Sequence, residues 1–173
     1  MYIEAGRPQR TDEQCNTRQR LPAGEYEAPQ LSLSVRTTRM KIGGKQMPLV
    51  RIAYRKGRQK DLGNKIAAII YRSMVDTIKV PEKDNFQLIT EHDSHDLIYD
   101  PEYLGINRSE GIIIIQITLN EGRTIEMKKA FYREVAERLN KNLGVRIEDV
   151  FINLVEVKKE NWSFGNGIAQ YAQ

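Results

Sequence analysis

The sequence predicts an α+β domain built as a tandem βαβ repeat: a four-stranded mixed sheet with two helices on one face. Three observations predict it. Sliding the chain on itself by 65 positions gives an ungapped match, in which Gly57-Arg58 falls on Gly122-Arg123, Ile52 on Ile117, Val80 on Val145, Asp84 on Asp149 and Phe86 on Phe151. Each copy holds one stretch with apolar residues at helical spacing between two short apolar runs at strand spacing. A strand, helix, strand unit is a crossover that makes its two strands parallel, and two units side by side give the mixed sheet.

The elements follow in order. Leu49 to Tyr54 alternates as a strand, and Lys56-Gly57-Arg58 is a turn. Leu62, Ile66, Ile69, Ile70 and Met74 share one helical face, giving a helix to about Ile78. Val80-Pro81 ends it, because a residue before proline is pushed out of helical φ/ψ. Phe86 to Glu91 is the second strand, and His92 to Ser109 is a long polar connection of the kind that forms sites. Gly111 to Leu119 carries four consecutive isoleucines and reads as a strand buried on both faces. Thr124 is placed to cap a second helix, Glu126 lies in its first turn, and Met127, Phe131, Val135, Leu139 and Leu143 form its stripe, with Gly144 to stop it. Val150 to Val157 is the last strand. Both helices cover the same face, so the opposite face of the isoleucine strand requires partner subunits, and an obligate oligomer is expected.

Residues 1–46 differ in texture. They are rich in Arg, Gln, Thr, Pro and Gly, a composition that cannot offset chain entropy by burial, apart from Leu31 to Val35, which alternates and could add an edge strand. They hold 8 Lys+Arg against 5 Asp+Glu, leaving 19 against 18 in the rest. A near-neutral globular part lacks the footprint of a phosphate-binding surface, so no nucleic-acid partner is expected. The single cysteine, Cys15, is also here, which leaves the globular part without a disulfide or thiolate metal site. His92 and His95 read as solvated loop side chains, and no metal is expected. No apolar run is long enough to span a membrane, and residues 1–20 lack a secretory apolar core, so a cytoplasmic protein is expected.

Met47-Pro48-Leu49 decides the functional reading. Gly43-Gly44 can be encoded GGAGG, with only the Lys45 and Gln46 codons before Met47. That is the composition and spacing of a bacterial ribosome-binding site. Residues 1–46 are therefore expected to be disordered, or a translated leader absent from the mature protein, with the domain spanning 47–173. If Met47 starts the chain and is trimmed, Pro48 becomes a free secondary amine. If it does not, the same nitrogen is an amide without basicity.

A Met-Pro-Leu start, the tandem βαβ repeat, Pro81-Glu82-Lys83-Asp84-Asn85-Phe86-Gln87, Asn107-Arg108-Ser109 and Trp162-Ser163-Phe164-Gly165 together resemble the tautomerase superfamily, most closely its malonate semialdehyde decarboxylase-like branch. The resemblance covers Pro48 to about Tyr171. It implies a homotrimer with active sites near subunit boundaries, no cofactor, no metal, and a catalytic amino-terminal proline. An α-amine has a reference pKa of about 7.7–8.0, so modest burial or a nearby cation makes it a base near neutrality and a carboxylate keeps it an acid.

By the same resemblance Asp84 matches the acidic residue beside the proline; its repeat mate Asp149 leaves open that it caps a turn. Arg123 matches an arginine that binds the substrate carboxylate; its mate Arg58 leaves open a turn role. The family decarboxylase carries a second arginine close by, where this chain reads Leu119-Asn120-Glu121-Gly122; Asn120 can donate a hydrogen bond but carries no charge. Trp162 and Phe164 match the apolar wall, with packing the alternative. The expected activity is keto–enol tautomerisation of small 2-oxo acids such as aryl pyruvates. Two alternatives are decarboxylation of a 3-oxo acid such as malonate semialdehyde, and a non-catalytic trimeric scaffold whose basic leader binds an acidic partner.

Overall fold

The computed structural model describes residues 47–172. The expected leader, Cys15 and the Leu31–Val35 strand lie outside the described residues. Four strands form one sheet: β1 (Leu49–Arg55), β2 (Phe86–His92), β3 (Ile113–Asn120) and β4 (Val150–Val157), with helices α1 (Leu62–Ile78) and α2 (Ile125–Leu143) between the paired strands. The order is β2-β1-β3-β4. β1 runs parallel to β2 and β3 parallel to β4, while the central β1/β3 pair is antiparallel. This is the two-unit mixed sheet read from the repeat.

The core lies between the sheet and the two helices. Alternate strand residues Val50, Ile52, Tyr54, Ile113, Ile115, Ile117 and Leu119 face Ile66, Ile70, Met74, Phe131, Val135 and Leu139, all buried. Packing of this kind, at roughly 25 cal/mol per Å² of apolar surface, is what makes both helical stripes cohere. Thr124 caps α2 as expected: its side chain accepts from the Met127 N–H, and Gly144 stops the helix at φ +66°. α1 is entered differently. Asp61 precedes it in the left-handed region and makes no side-chain cap.

The outer face of the sheet departs in part from the expectation for β3. Ile114 is only half-buried and Gln116 is exposed, whereas Ile112, just before the strand, is buried together with Leu97 of the long loop. Ile98 and Tyr99 of that loop line a cavity with Ile112, Ile114 and Phe151 at this end of the face. Elsewhere the face is open and partly apolar: Phe86 is 54%, Leu88 47% and Phe151 42% exposed.

Candidate active site

Strand register gathers the site. Leu49 pairs with Phe86 on one side and with Thr118 on the other. The residue before it, Pro48, therefore enters the sheet between the turn leading into β2, which carries Asp84, and the end of β3, which carries Asn120. Asn120 pairs with Val157, so the tail after β4 leaves from the same end. The register places Pro48, Asp84, Asn120, Arg123 and the Trp162 tail around one rim of the sheet. Pro48 and Asp84 are buried there.

Asp84 is held by its turn. Lys83 takes a left-handed conformation, φ +79°, unusual for a side-chain-bearing residue. Its N–H donates to the Tyr71 hydroxyl on α1 at 2.9 Å, and the Asp84 N–H donates to the Pro81 carbonyl at 3.2 Å. The main chain is fixed, but the carboxylate is not occupied: buried Oδ2 has no hydrogen-bond partner among the described residues.

Arg123 is placed by the turn out of β3. Gly122 adopts φ +115°, which a side chain would oppose, and the Glu121 N–H donates to the Val157 carbonyl at 3.0 Å. Arg123 then folds back, and its Nη1 donates to the Asn120 carbonyl at 2.7 Å. Only 7% of the residue is exposed, yet Nε and Nη2 find no acceptor among the described residues. Burial holds the guanidinium below its ordinary pKa, and the nearby Glu156 charge works against that shift. A buried cation short of acceptors is a site for an anion. The Asn120 side chain is fully buried; its Oδ1 accepts from the Trp162 indole at 2.7 Å, and its Nδ2 has no partner among the described residues.

The tail builds a wall. Trp162 stacks on Phe164 with centroids 5.5 Å apart, and Phe164 meets Tyr171 edge-on at 4.9 Å. Gly165 (φ +132°), Asn166 (+57°) and Gly167 (+65°) turn the chain back. Gln170 clasps the turn: it accepts from the Phe164 N–H at 2.9 Å and donates to the Gly165 carbonyl at 2.8 Å. Tyr171 thereby reaches the start of β1. Burial pushes its phenol above the usual range, a backbone hydrogen bond with Met47 opposes this, and the Asp84 charge adds to it. Tyr171 is a rim residue that the sequence reading did not single out. The available signal was an aromatic placed just after a glycine-rich turn.

The internal repeat supplies a control. Asp149, the mate of Asp84, is a turn cap: Oδ1 accepts from the Ser109 N–H and Oδ2 from the Ser109 hydroxyl, both at 2.6 Å. Arg58, the mate of Arg123, is exposed and donates to the Gly111 carbonyl at 3.1 Å. Asp149 and Arg58, one from each copy, are thus both occupied by the segment that precedes β3. Their mates Asp84 and Arg123, again one from each copy, are buried with side-chain atoms that have no hydrogen-bond partner among the described residues. Arg108, in turn, only ties its own loop, donating to the Tyr103 and Ile106 carbonyls.

Comparison with known proteins agrees with this architecture. The profile of a family described as tautomerase enzymes matches residues 84–165. A "probable tautomerase", YusQ of Bacillus subtilis (strain 168), is 47% identical over 124 residues, covering 72% of this chain and 98% of its own length. Among solved structures, FG41 malonate semialdehyde decarboxylase inhibited by 3-bromopropiolate superposes with a TM-score of 0.66 at 36% identity, over 72% of this chain and 94% of that one. A fused 4-OT symmetric trimer shares the fold, with a TM-score of 0.59 at 22% identity, over 72% and 98% of the two chains.

Proposed function

Because this chain belongs to the tautomerase superfamily, in its malonate semialdehyde decarboxylase-like branch, and is therefore an enzyme, we propose that it interconverts the enol and keto forms of small 2-oxo acids, aryl pyruvates among them, with Pro48 as the proton carrier. The observation that carries this reading is the contrast between repeat mates: Asp149 and Arg58 are consumed by structure, while Asp84 and Arg123, at the rim where Pro48 enters the sheet, keep atoms without a partner among the described residues.

The proposal requires Pro48 to be the mature amino terminus, with residues 1–46 a leader. A length comparison supports that start: 124 residues are 98% of YusQ, so that relative has about 127 residues, the same length as the span from Met47 to Gln173. As a free amine, Pro48 takes the proton from the enol oxygen and returns it to the neighbouring carbon as the carbonyl forms. Proton movement between oxygen and carbon transfers no electrons to an acceptor, so the step calls for no cofactor. Arg123 holds the substrate carboxylate, Asp84 tunes the amine by its charge, and Trp162, Phe164 and Tyr171 exclude water.

A second reading is favoured by the decarboxylase neighbour. There a protonated Pro48 polarises the carbonyl of a 3-oxo acid so that carbon dioxide leaves, and malonate semialdehyde is the compound to try. The open, partly apolar outer sheet face supports a homo-oligomer; the proposed state is the trimer, as in the fused 4-OT structure of the same fold. A scaffold without activity is set aside by the family. Loss of enol absorbance from phenylpyruvate tests the proposal, with Pro48→Ala expected to fall by two orders of magnitude or more; equal rates in the two proteins would overturn it. Carbon dioxide release from malonate semialdehyde separates the second reading from the first.

A further inference from the structure

The Asn120 and Trp162 pair does more than line the rim. An indole N–H is only a donor, so the Asn120 atom 2.7 Å from Trp162 Nε1 is the amide oxygen, and the opposite assignment would set two donors against each other. The amide is therefore locked in one orientation, and its nitrogen is turned away from Trp162. That nitrogen is buried and has no acceptor among the described residues. The backbone of the same residue anchors Arg123: the Asn120 carbonyl takes Nη1, which leaves Nε and Nη2. Those two atoms form the edge of a guanidinium that engages both oxygens of one carboxylate. Asn120 thus presents a neutral donor beside a charged fork that it also orients.

We infer that Trp162 is a positioning residue and Asn120 a specificity-determining one, which together make this a site for 2-oxo monocarboxylates: Arg123 takes the carboxylate through Nε and Nη2, and the Asn120 amide takes the adjacent carbonyl or enolate oxygen. The inference rests on the proposed role of Arg123 and goes beyond it. One cation beside a neutral amide favours a single negative charge with an uncharged or partly charged oxygen next to it. Among the described residues the cation hydrogen-bonded to Asn120 is Arg123, and the Glu156 carboxylate, itself paired with Lys128 at 2.8 Å, lies close enough to act on Arg123. Trp162 would then serve the site through its N–H as well as through its ring.

Isothermal titration with three ligands that share a phenyl ring tests this. Phenylglyoxylate has the 2-oxo group and no enolisable hydrogen, phenylacetate lacks the oxo group, and phenylmalonate replaces it with a second carboxylate. The expected result for the native enzyme is phenylglyoxylate about five- to tenfold tighter than phenylacetate, the worth of one neutral hydrogen bond, with phenylmalonate the weakest. Trp162→Phe keeps the aromatic stack and removes the N–H. It should erase the gap by loosening phenylglyoxylate alone. A gap that survives Trp162→Phe, an equal loss for all three ligands, or no gap in the native enzyme overturns the inference while the Arg123 carboxylate site stands. No binding of any of the three overturns that site and the inference with it. Trp162 is the chain's only tryptophan, so its single indole N–H resonance gives a reading that needs no variant. Slow solvent exchange of that proton is expected, and free exchange refutes the lock.

Discussion

Replacing Arg123 by methionine should make the protein more stable and less able to bind its substrate. Arg123 is buried and donates to the Asn120 carbonyl, and its Nε and Nη2 lack acceptors among the described residues. Each buried unsatisfied donor costs about 1–3 kcal/mol, whereas the one hydrogen bond to a charged group that would be lost contributes about 1.5–3 kcal/mol. Methionine fills similar space without a charge to desolvate. Glu156 loses a neighbouring cation but keeps its 2.8 Å pair with Lys128. The balance is a gain of about 1–3 kcal/mol, or roughly 3–10 °C in Tm for a domain of this size. Loss of two charge-assisted bonds to the ligand should weaken carboxylate binding by about 100-fold or more. Differential scanning calorimetry and titration with phenylglyoxylate measure the two effects on the same samples. A less stable Arg123→Met that still binds the carboxylate would refute the reasoning, because it would make the arginine structural.

Asp84→Asn should leave stability within about 0.5 kcal/mol and lower turnover by about 100-fold, while Asp149→Ala, which strips two 2.6 Å hydrogen bonds, should cost about 2–4 kcal/mol in urea unfolding; the reverse pattern would exchange their roles. Burial, with the Glu91 hydrogen bond second, raises the Tyr54 phenol above its ordinary value. Tyr54 is neutral when protonated, so its contribution is fully present below about pH 10 and is lost as pH climbs through the folded-state value. The wild type should therefore lose more stability than Tyr54→Phe between pH 8 and pH 11 in urea titrations at each pH. Leu88→Lys, on the open sheet face, should lower the oligomeric state seen by sedimentation.

Much of the fold was legible because its signals are periodic. The stripes ending at Ile78 and Leu143, the Thr124 cap and the Gly144 stop all depend on residues a few positions apart, and the structure has them as read. The burial of Leu97 within the long loop was not legible, since a loop has no period to reveal which of its residues turns inward. At the site, sequence alone could not separate Asp84 from Asp149. Both are aspartates three residues or fewer before a strand, and what distinguishes them is the partner brought by another segment: Ser109 for Asp149, and among the described residues none for Asp84 Oδ2. Tyr171 was hidden for a related reason. Its approach to β1 depends on three consecutive positive-φ residues and the Gln170 clasp, which form a fold-back with no spacing rule. The indole-to-amide contact of Trp162 is likewise a long-range pairing that the aromatic content of the tail does not disclose.

The account turns on the nitrogen of Pro48. Intact-mass measurement on native enzyme that turns over phenylpyruvate examines it directly, and the predicted mass is that of a chain beginning at Pro48. Full turnover by protein that still carries the residues before Pro48 would contradict the account, because an amide nitrogen cannot carry the proton.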